Sequence, residues 1–350
     1  MQSPPHGGVP RYVPGLDGLR GLAVLAVMAM HAELPFAGAG LVGVDVFFVL
    51  SGFLITRIVL AELASPDGLS LVSFYARRAL RIMPALVLML AVLGALTLVG
   101  ATPWTPALFF PHARSAALFL SHVDVFRFGP GGPFPHLWTL GVEADFYVLW
   151  PLVLIAASRF ARGRVVVLGA LTVLAVTTAV GRLFLLTRVW LPRALVVAAV
   201  LRWDGLLQGC VLAALVPRLA PLRAVFRVLS PLAVLGLVAV LATNAPLPAV
   251  RWGTTAAATA TALIVAGLVL DPHGRLATVL EWPPLRWTGL VSYGLYLWHP
   301  SVGALVGRRP LPFTLHVAAL FALTYATAAL SYHLLERPLM RLRVRGATRN

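Results

Sequence analysis

Apolar runs of near-membrane length alternate along the chain with short polar breaks, and this pattern predicts spanning helices, not the striped helices of a soluble domain. The runs fall at about residues 18–33 and 41–61, then one ending near Gly100, then 141–158, 165–186, 194–216, 228–243, 252–270, 287–306 and 312–335. ASPDGLS separates the second from the third with turn residues. The fold class expected is an all-α polytopic membrane protein of about ten transmembrane helices. Residues 1–14 read as a disordered Pro- and Gly-rich arm, 15–341 as the transmembrane domain and 342–350 as a basic tail. Residues 101–140 form the longest stretch outside the spans. They read as an external loop with an interfacial or re-entrant helix.

Composition sharpens this. Of 350 residues, 59% are hydrophobic and 11% charged, and the mean hydropathy is +0.89. A soluble domain carries about 25% charged residues. The net charge is +16, and every basic residue is Arg. Nucleic-acid-binding domains cluster such charge on a polar face. Here the arginines sit between apolar runs, as membrane orientation and anionic-lipid contact require, so a nucleic-acid partner is excluded. Their bias predicts both termini in the cytoplasm, although the loop from Arg182 to Arg193 runs against it. Cys210 stands alone, so no disulfide is available. The histidines show no metal-ligand spacing and no metal site is expected. The start MQSPPHGGVPRY lacks a charged n-region, so the first span is retained, not cleaved.

Charges inside apolar runs are costly and point to chemistry. Arg20 and His31 are eleven residues apart, on one helix face and roughly 16 Å apart along the axis. His31 is read as a proton-transfer or acyl-accepting imidazole facing the protein interior or a wet cavity, against the blander role of bonding a neighbouring helix. In FYARRALRIMP, Arg78 and Arg81 share a face and suit phosphate, while Arg77 points elsewhere; a plain positive-inside anchor is the alternative. In HLWTLGVEADFYVLWP, Glu143 and Asp145 sit about 200° apart and cannot both face one cavity. In LRWDGLLQG, Arg202 and Asp204 are expected inside a span, either functional or neutralising charge between helices. In SYGLYLWHP, Ser292 lies too far from His299 for a hydrolase pair, while Tyr296 is one turn from His299. Glu336 is expected to pair with Arg337 or with an arginine of another span.

These segments, with GLDGLRGLAVLAVMAMH, GVDVFFVLSGFLIT and ERP, occur in one order along one chain. Together they resemble the acyltransferase-3 family of integral membrane acyltransferases, which includes O-antigen acetylases and macrolide acyltransferases. The resemblance implies transfer of an acyl group, acetyl above all, from cytoplasmic acyl-CoA to a hydroxyl of a carbohydrate or macrolide-type acceptor in a bacterial inner membrane. Acyl-CoA is then a co-substrate, and no cofactor is bound permanently. The family's Arg-x10-His motif falls on Arg20 and His31, its Arg-x-x-Arg motif on Arg78 and Arg81, and its acidic position on Glu143. The resemblance assigns catalysis to His31, Arg20 and Glu143, with donor binding to Arg78 and Arg81. Asp17, Asp45, Ser51, Arg202, Asp204, Tyr296 and His299 stand in support, and Asp17, Glu143 or Asp45 is expected to orient His31. Relatives usually carry two successive acids where Ala144 here separates Glu143 from Asp145. The C-terminal esterase-like domain of some relatives is not expected after the tenth span. A transporter or flippase for a lipid-linked or glycosylated molecule is the rival reading, since it too would place charge at mid-depth.

Overall fold

A computed structural model describes residues 12–128, 132–159, 163–188, 202–242 and 253–341. Most of the proposed N-terminal arm, the loop around Arg193 and the basic tail lie outside these residues. Among the described residues the regular structure is helical throughout, with no strand.

Helix α1 (Gly15–His31) follows Pro14 and carries Asp17 in its first turn, where a carboxylate complements the helix dipole. It ends at His31, and Glu33 (φ 53°) and Phe36 (φ 62°) take the left-handed conformation that turns the chain away. A 3-10 turn at Gly40–Val42 leads into α2 (Gly43–Leu63). Then come α3 (Leu71–Leu98), continuous through Pro84, α4 (Pro106–Ala117), α5 (Ser121–Phe128), α6 (Trp138–Ser158) and α7 (Gly163–Arg188). The chain continues with α8 (Trp203–Leu219), α9 (Arg223–Leu241), α10 (Thr254–Leu270), α11 (Arg275–Leu280), α12 (Pro283–Leu290), α13 (Ser292–Val306) and α14 (Phe313–Ser331). A π turn at Tyr332–Glu336 follows α14.

Among the described residues, five helical stretches are long and apolar enough to cross a membrane: Gly40–Leu63, Leu71–Leu98, Trp138–Ser158, Trp203–Leu241 and Phe313–Arg341. Gly169–Gly181 and Thr254–Leu270 are apolar but shorter. The expected first span is a 17-residue helix holding Asp17 and Arg20. The expected ninth span is divided: its first residues belong to α12, and α13 has 15 residues. The loop 101–140 holds two helices, α4 and α5, where one was expected.

The chain packs as two units. The first comprises Met1–Leu71 and Glu143–Gly289. Its core includes Leu19, Val46, Leu50, Phe53, Ile264 and Val265. Within it α2 and α8 meet backbone to backbone, because a Cβ added at Gly52 would lie 2.0 Å from the Leu206 carbonyl oxygen and one at Gly209 2.2 Å from that of Val49. Small residues allow such close helix approach in membranes. The start of α1 meets the α11–α12 hairpin in the same way: a Cβ at Gly18 would lie 1.8 Å from the Leu280 oxygen, and one at Gly289 1.7 Å from the Asp17 oxygen.

The second unit comprises Val72–Val142 and Leu290–Asn350. In it α13 and α14 run antiparallel, with Gly294 against Ala328 and Gly303 against Leu320. The Tyr293 hydroxyl donates to the Ile82 carbonyl at 2.8 Å and ties α13 to α3. Trp104, Phe109 and Phe134 pack their rings together and anchor the start of α4.

Candidate active site

Within the first unit, α1 is unbroken from Arg20 to His31, so both side chains keep the shared helix face that their spacing predicts. The His31 ring sits at the C-terminal end of the helix. Its Nδ1 lies 2.9 Å from the Val27 carbonyl oxygen. A carbonyl can only accept, so this bond makes Nδ1 the protonated nitrogen and leaves the basic lone pair on Nε2. The residue is exposed at the end of α1 and is not packed in the core. The helix ends at His31, so no further turn of α1 covers the ring.

Asp17 lies four turns away, about 21 Å along the helix, so it cannot orient His31. Its carboxylate is engaged locally. The Tyr12 hydroxyl donates to one oxygen, and Arg20 Nη1 approaches the other at 3.4 Å. Arg286, from α12, lies near enough for its guanidinium to act electrostatically on the Tyr12 hydroxyl. Tyr12 and Arg286 escaped the sequence reading because 274 positions separate them and neither lies in a recognisable motif.

Glu143 belongs to a second cluster in the same unit. The Ser51 hydroxyl donates to its Oε1 at 2.9 Å, and the Tyr147 hydroxyl to its Oε2 at 3.2 Å. The Tyr147 hydroxyl also lies 3.3 Å from Ser51 Oγ. Two hydroxyl donors thus hold one carboxylate between α2 and α6. Tyr147 was not singled out from the sequence, although its i, i+4 spacing from Glu143 was the available signal. About one and a half turns along α2 from Ser51, Thr56 donates to the Gly52 carbonyl at 2.6 Å and accepts from the Trp150 indole at 2.7 Å.

A buried ion pair forms a third cluster. Arg202 Nη2 meets Asp45 Oδ2 at 3.1 Å, with side chains 5% and 1% exposed. Asp204 accepts from the Thr255 hydroxyl at 3.0 Å. Arg202 stands at the N-cap position of α8, one residue before the apolar stretch Trp203–Leu241, and Asp204 lies in the first turn, within that stretch. Both are buried, and Arg202 neutralises Asp45 between helices.

In the second unit, Arg78 places its guanidinium 5.7 Å from the Phe74 ring centre. Arg77 reaches the same ring at 5.9 Å, which corrects the expectation that it points elsewhere, and also donates to Ser73 at 2.7 Å. Arg81 is exposed and acts electrostatically on Glu336, whose carboxylate accepts from Ser331 at 3.0 Å. Glu336 is therefore matched by an arginine from another helix. His136, Tyr296 and His299 form a ring cluster, with His136 5.5 Å from Tyr296 and 5.6 Å from His299. His299 Nδ1 sits 2.8 Å from the Tyr296 carbonyl oxygen, and the Tyr296 hydroxyl 2.8 Å from that of Thr139. His136 and His299 are buried and Tyr296 half-buried, and the Tyr296 hydroxyl donates to the His136 carbonyl oxygen at 2.9 Å. His136 was not singled out from the sequence.

Comparison with known proteins covers nearly all of this architecture. A family model described as an acyltransferase domain matches residues 13–333. The chain is 32% identical over 354 residues to a putative peptidoglycan O-acetyltransferase, YrhL, of Bacillus subtilis, covering 94% of this chain and 55% of that protein. It is 30% identical to the peptidoglycan O-acetyltransferase OatA of Listeria monocytogenes, covering 94% and 56%, and 29% identical to the O-acetyltransferase OatA of Staphylococcus aureus, covering 94% and 57%. The chain thus spans about half the length of the curated relatives it matches. No solved structure matches it significantly. With the family match running through the helices that carry Arg20, His31, Arg78, Arg81 and Glu143, the chain belongs to the acyltransferase-3 family.

Proposed function

We propose that the chain is a membrane-embedded O-acyltransferase that moves an acetyl or similar acyl group from cytoplasmic acyl-CoA to a sugar hydroxyl. Both termini lie in the cytoplasm in this reading, following the arginine bias. Peptidoglycan is the acceptor that the printed names of the relatives suggest. The observation that carries the proposal is the family match over residues 13–333, with Arg20 and His31 together on unbroken α1.

The accessible Nε2 of His31 takes the acceptor hydroxyl proton. The oxygen attacks the thioester carbonyl, the carbon–sulfur bond breaks, and the imidazolium returns its proton to the departing thiolate. Ester and free thiol are the products. Arg20 lies roughly 16 Å from His31 and leans on Asp17, so it serves the charged end of the donor and not the oxyanion. Arg78 and Arg81, on α3 of the second unit, are taken here as phosphate-binding residues in their own right. Ser51 and Tyr147 hold the Glu143 carboxylate in one orientation, as a positioned charge needs.

Membranes carrying the protein, supplied with radiolabelled acetyl-CoA and muropeptides, should yield labelled ester. His31→Ala should insert normally and abolish transfer. Full activity in that variant rejects the assignment, and uptake without modification makes the protein a carrier.

A further inference from the structure

Helix α13, in the second unit, carries Pro300 in its interior. Proline has no N–H, so the Tyr296 carbonyl four residues back loses its ladder partner. The His299 ring takes that place, with Nδ1 2.8 Å from the Tyr296 oxygen. The same turn departs from ordinary helix bonding a second time. Trp298 Nε1 and Ser301 Oγ are buried without a hydrogen-bond partner among the described residues, and so is Thr324 Oγ1 on α14. Ser301 and Thr324 are 0% exposed and Trp298 6%. A buried helical hydroxyl can satisfy itself by donating to the carbonyl one turn back. Thr97 and Thr261 do so, each at 2.7 Å, whereas Ser301 and Thr324 do not.

The three groups share one place. Gly294, Trp298 and Ser301 fall within about 60° of one another around α13. Gly294 is the residue that meets Ala328 of α14, and Thr324 stands one turn from Ala328 on the same face. With Gly303 against Leu320, this antiparallel register sets Thr324 level with Trp298 and Ser301 within a turn of both. An indole N–H can only donate, while a hydroxyl donates once and also accepts. Buried polar groups left unpaired are costly, and native structures keep few of them. One water oxygen answers all three, and buried waters make about three such bonds. A proline-opened turn is also a place where water enters a helix ladder.

We propose that Trp298, Ser301 and Thr324 bind one ordered water molecule between α13 and α14, at the turn opened by Pro300. The water accepts from the indole and from one hydroxyl, and it donates to the other. Polar contacts then hold α13 on two opposite sides, through the rings of His136, Tyr296 and His299 on one and through the water on the other. The inference does not rest on the transferase reading.

The test uses the full chain in phosphatidylcholine nanodiscs, with its tryptophans labelled for magnetic resonance of the indole N–H. The Trp298 signal is assigned by its loss in Trp298→Phe. The expected result is direct magnetisation transfer from water to the Trp298 indole proton. Ser301→Ala combined with Thr324→Val should abolish that transfer and move the signal upfield, as loss of its hydrogen bond requires. Thr324→Ser keeps a hydroxyl and should keep the transfer. Should the double variant not fold, Thr324→Val alone must weaken the transfer relative to Thr324→Ser. An indole proton that receives nothing from water in the wild type overturns the proposal. So does transfer from lipid chains in place of water, or transfer from water that is unchanged once the hydroxyls are removed.

Discussion

Single side chains divide into those readable by spacing and those fixed by distant partners. Arg20 and His31 were readable because one helix carries both, and a helix converts sequence separation into direction. Ser51 and Glu143 were not linked, since 92 positions and several helices separate them. Only the fold reveals that Ser51 donates to that carboxylate. Ser51→Ala deletes one charge-assisted bond and leaves Tyr147 as a remaining donor. The expected loss in acyl transfer is roughly tenfold, the rate equivalent of about 1.5 kcal/mol. Glu143→Gln should cost more. The check is the labelled-ester assay on membranes with matched protein levels, and equal rates in Ser51→Ala would remove this bond from the catalytic apparatus.

Helices with a long apolar run were readable, and short ones were not. α2, α3 and α6 lie where the hydrophobic pattern placed them. The α11–α12 hairpin did not declare itself. RLATVL and PPLRWTGL are six and eight residues long, too short for a periodic signal, and prolines interrupt the stretch. Tertiary contact with the glycines of α1 accounts for their place. Arg202 stands at the N-cap of α8, and the earlier part of its apolar run lies outside the described residues. Its pairing with Asp45 makes a prediction between elements. Asp45→Asn or Arg202→Met alone leaves a buried charge unmatched and should cost about 3–5 kcal/mol. The double variant should recover most of that loss. Thermal unfolding in detergent across all four proteins measures the coupling, and strictly additive losses would show that the pair contributes nothing.

For the molecule as a whole, the pattern gave an all-helical membrane architecture, while its division into two packing units followed no boundary in composition. The first unit joins Met1–Leu71 to Glu143–Gly289, skipping the intervening residues 72–142, and a linear reading does not see this. Its α9 and α10 are joined at one end by a polar clamp. Arg223 and Arg227, on the first turns of α9, both donate to Asp271 just beyond α10, the latter at 2.8 Å. Those hydrogen bonds hold the Asp271 carboxyl below its ordinary pKa, with the guanidinium charges adding to the effect. A lowered folded-state pKa means that the clamp stabilises above the unfolded value, near 4, and is lost as pH falls through the folded value. Both arginines are about half exposed, so the contribution is at most about 1 kcal/mol and shrinks in salt. Asp271→Asn should therefore reduce the fall in thermal stability between pH 5 and 3 (roughly the window of carboxylate titration), and an unchanged acid limb would argue against the clamp.

The glycine contacts at the near end of α1 have a mechanical consequence. Backbone pressed on backbone at Gly18 and Gly289 acts as a fulcrum, and the helix beyond it is a lever about 20 Å long with the imidazole at its tip. Tilting that lever by about 10° displaces the tip by about 3.5 Å, the span between a base in reach of its proton and one out of reach. Whatever shifts that contact is thereby placed to set the working position of His31.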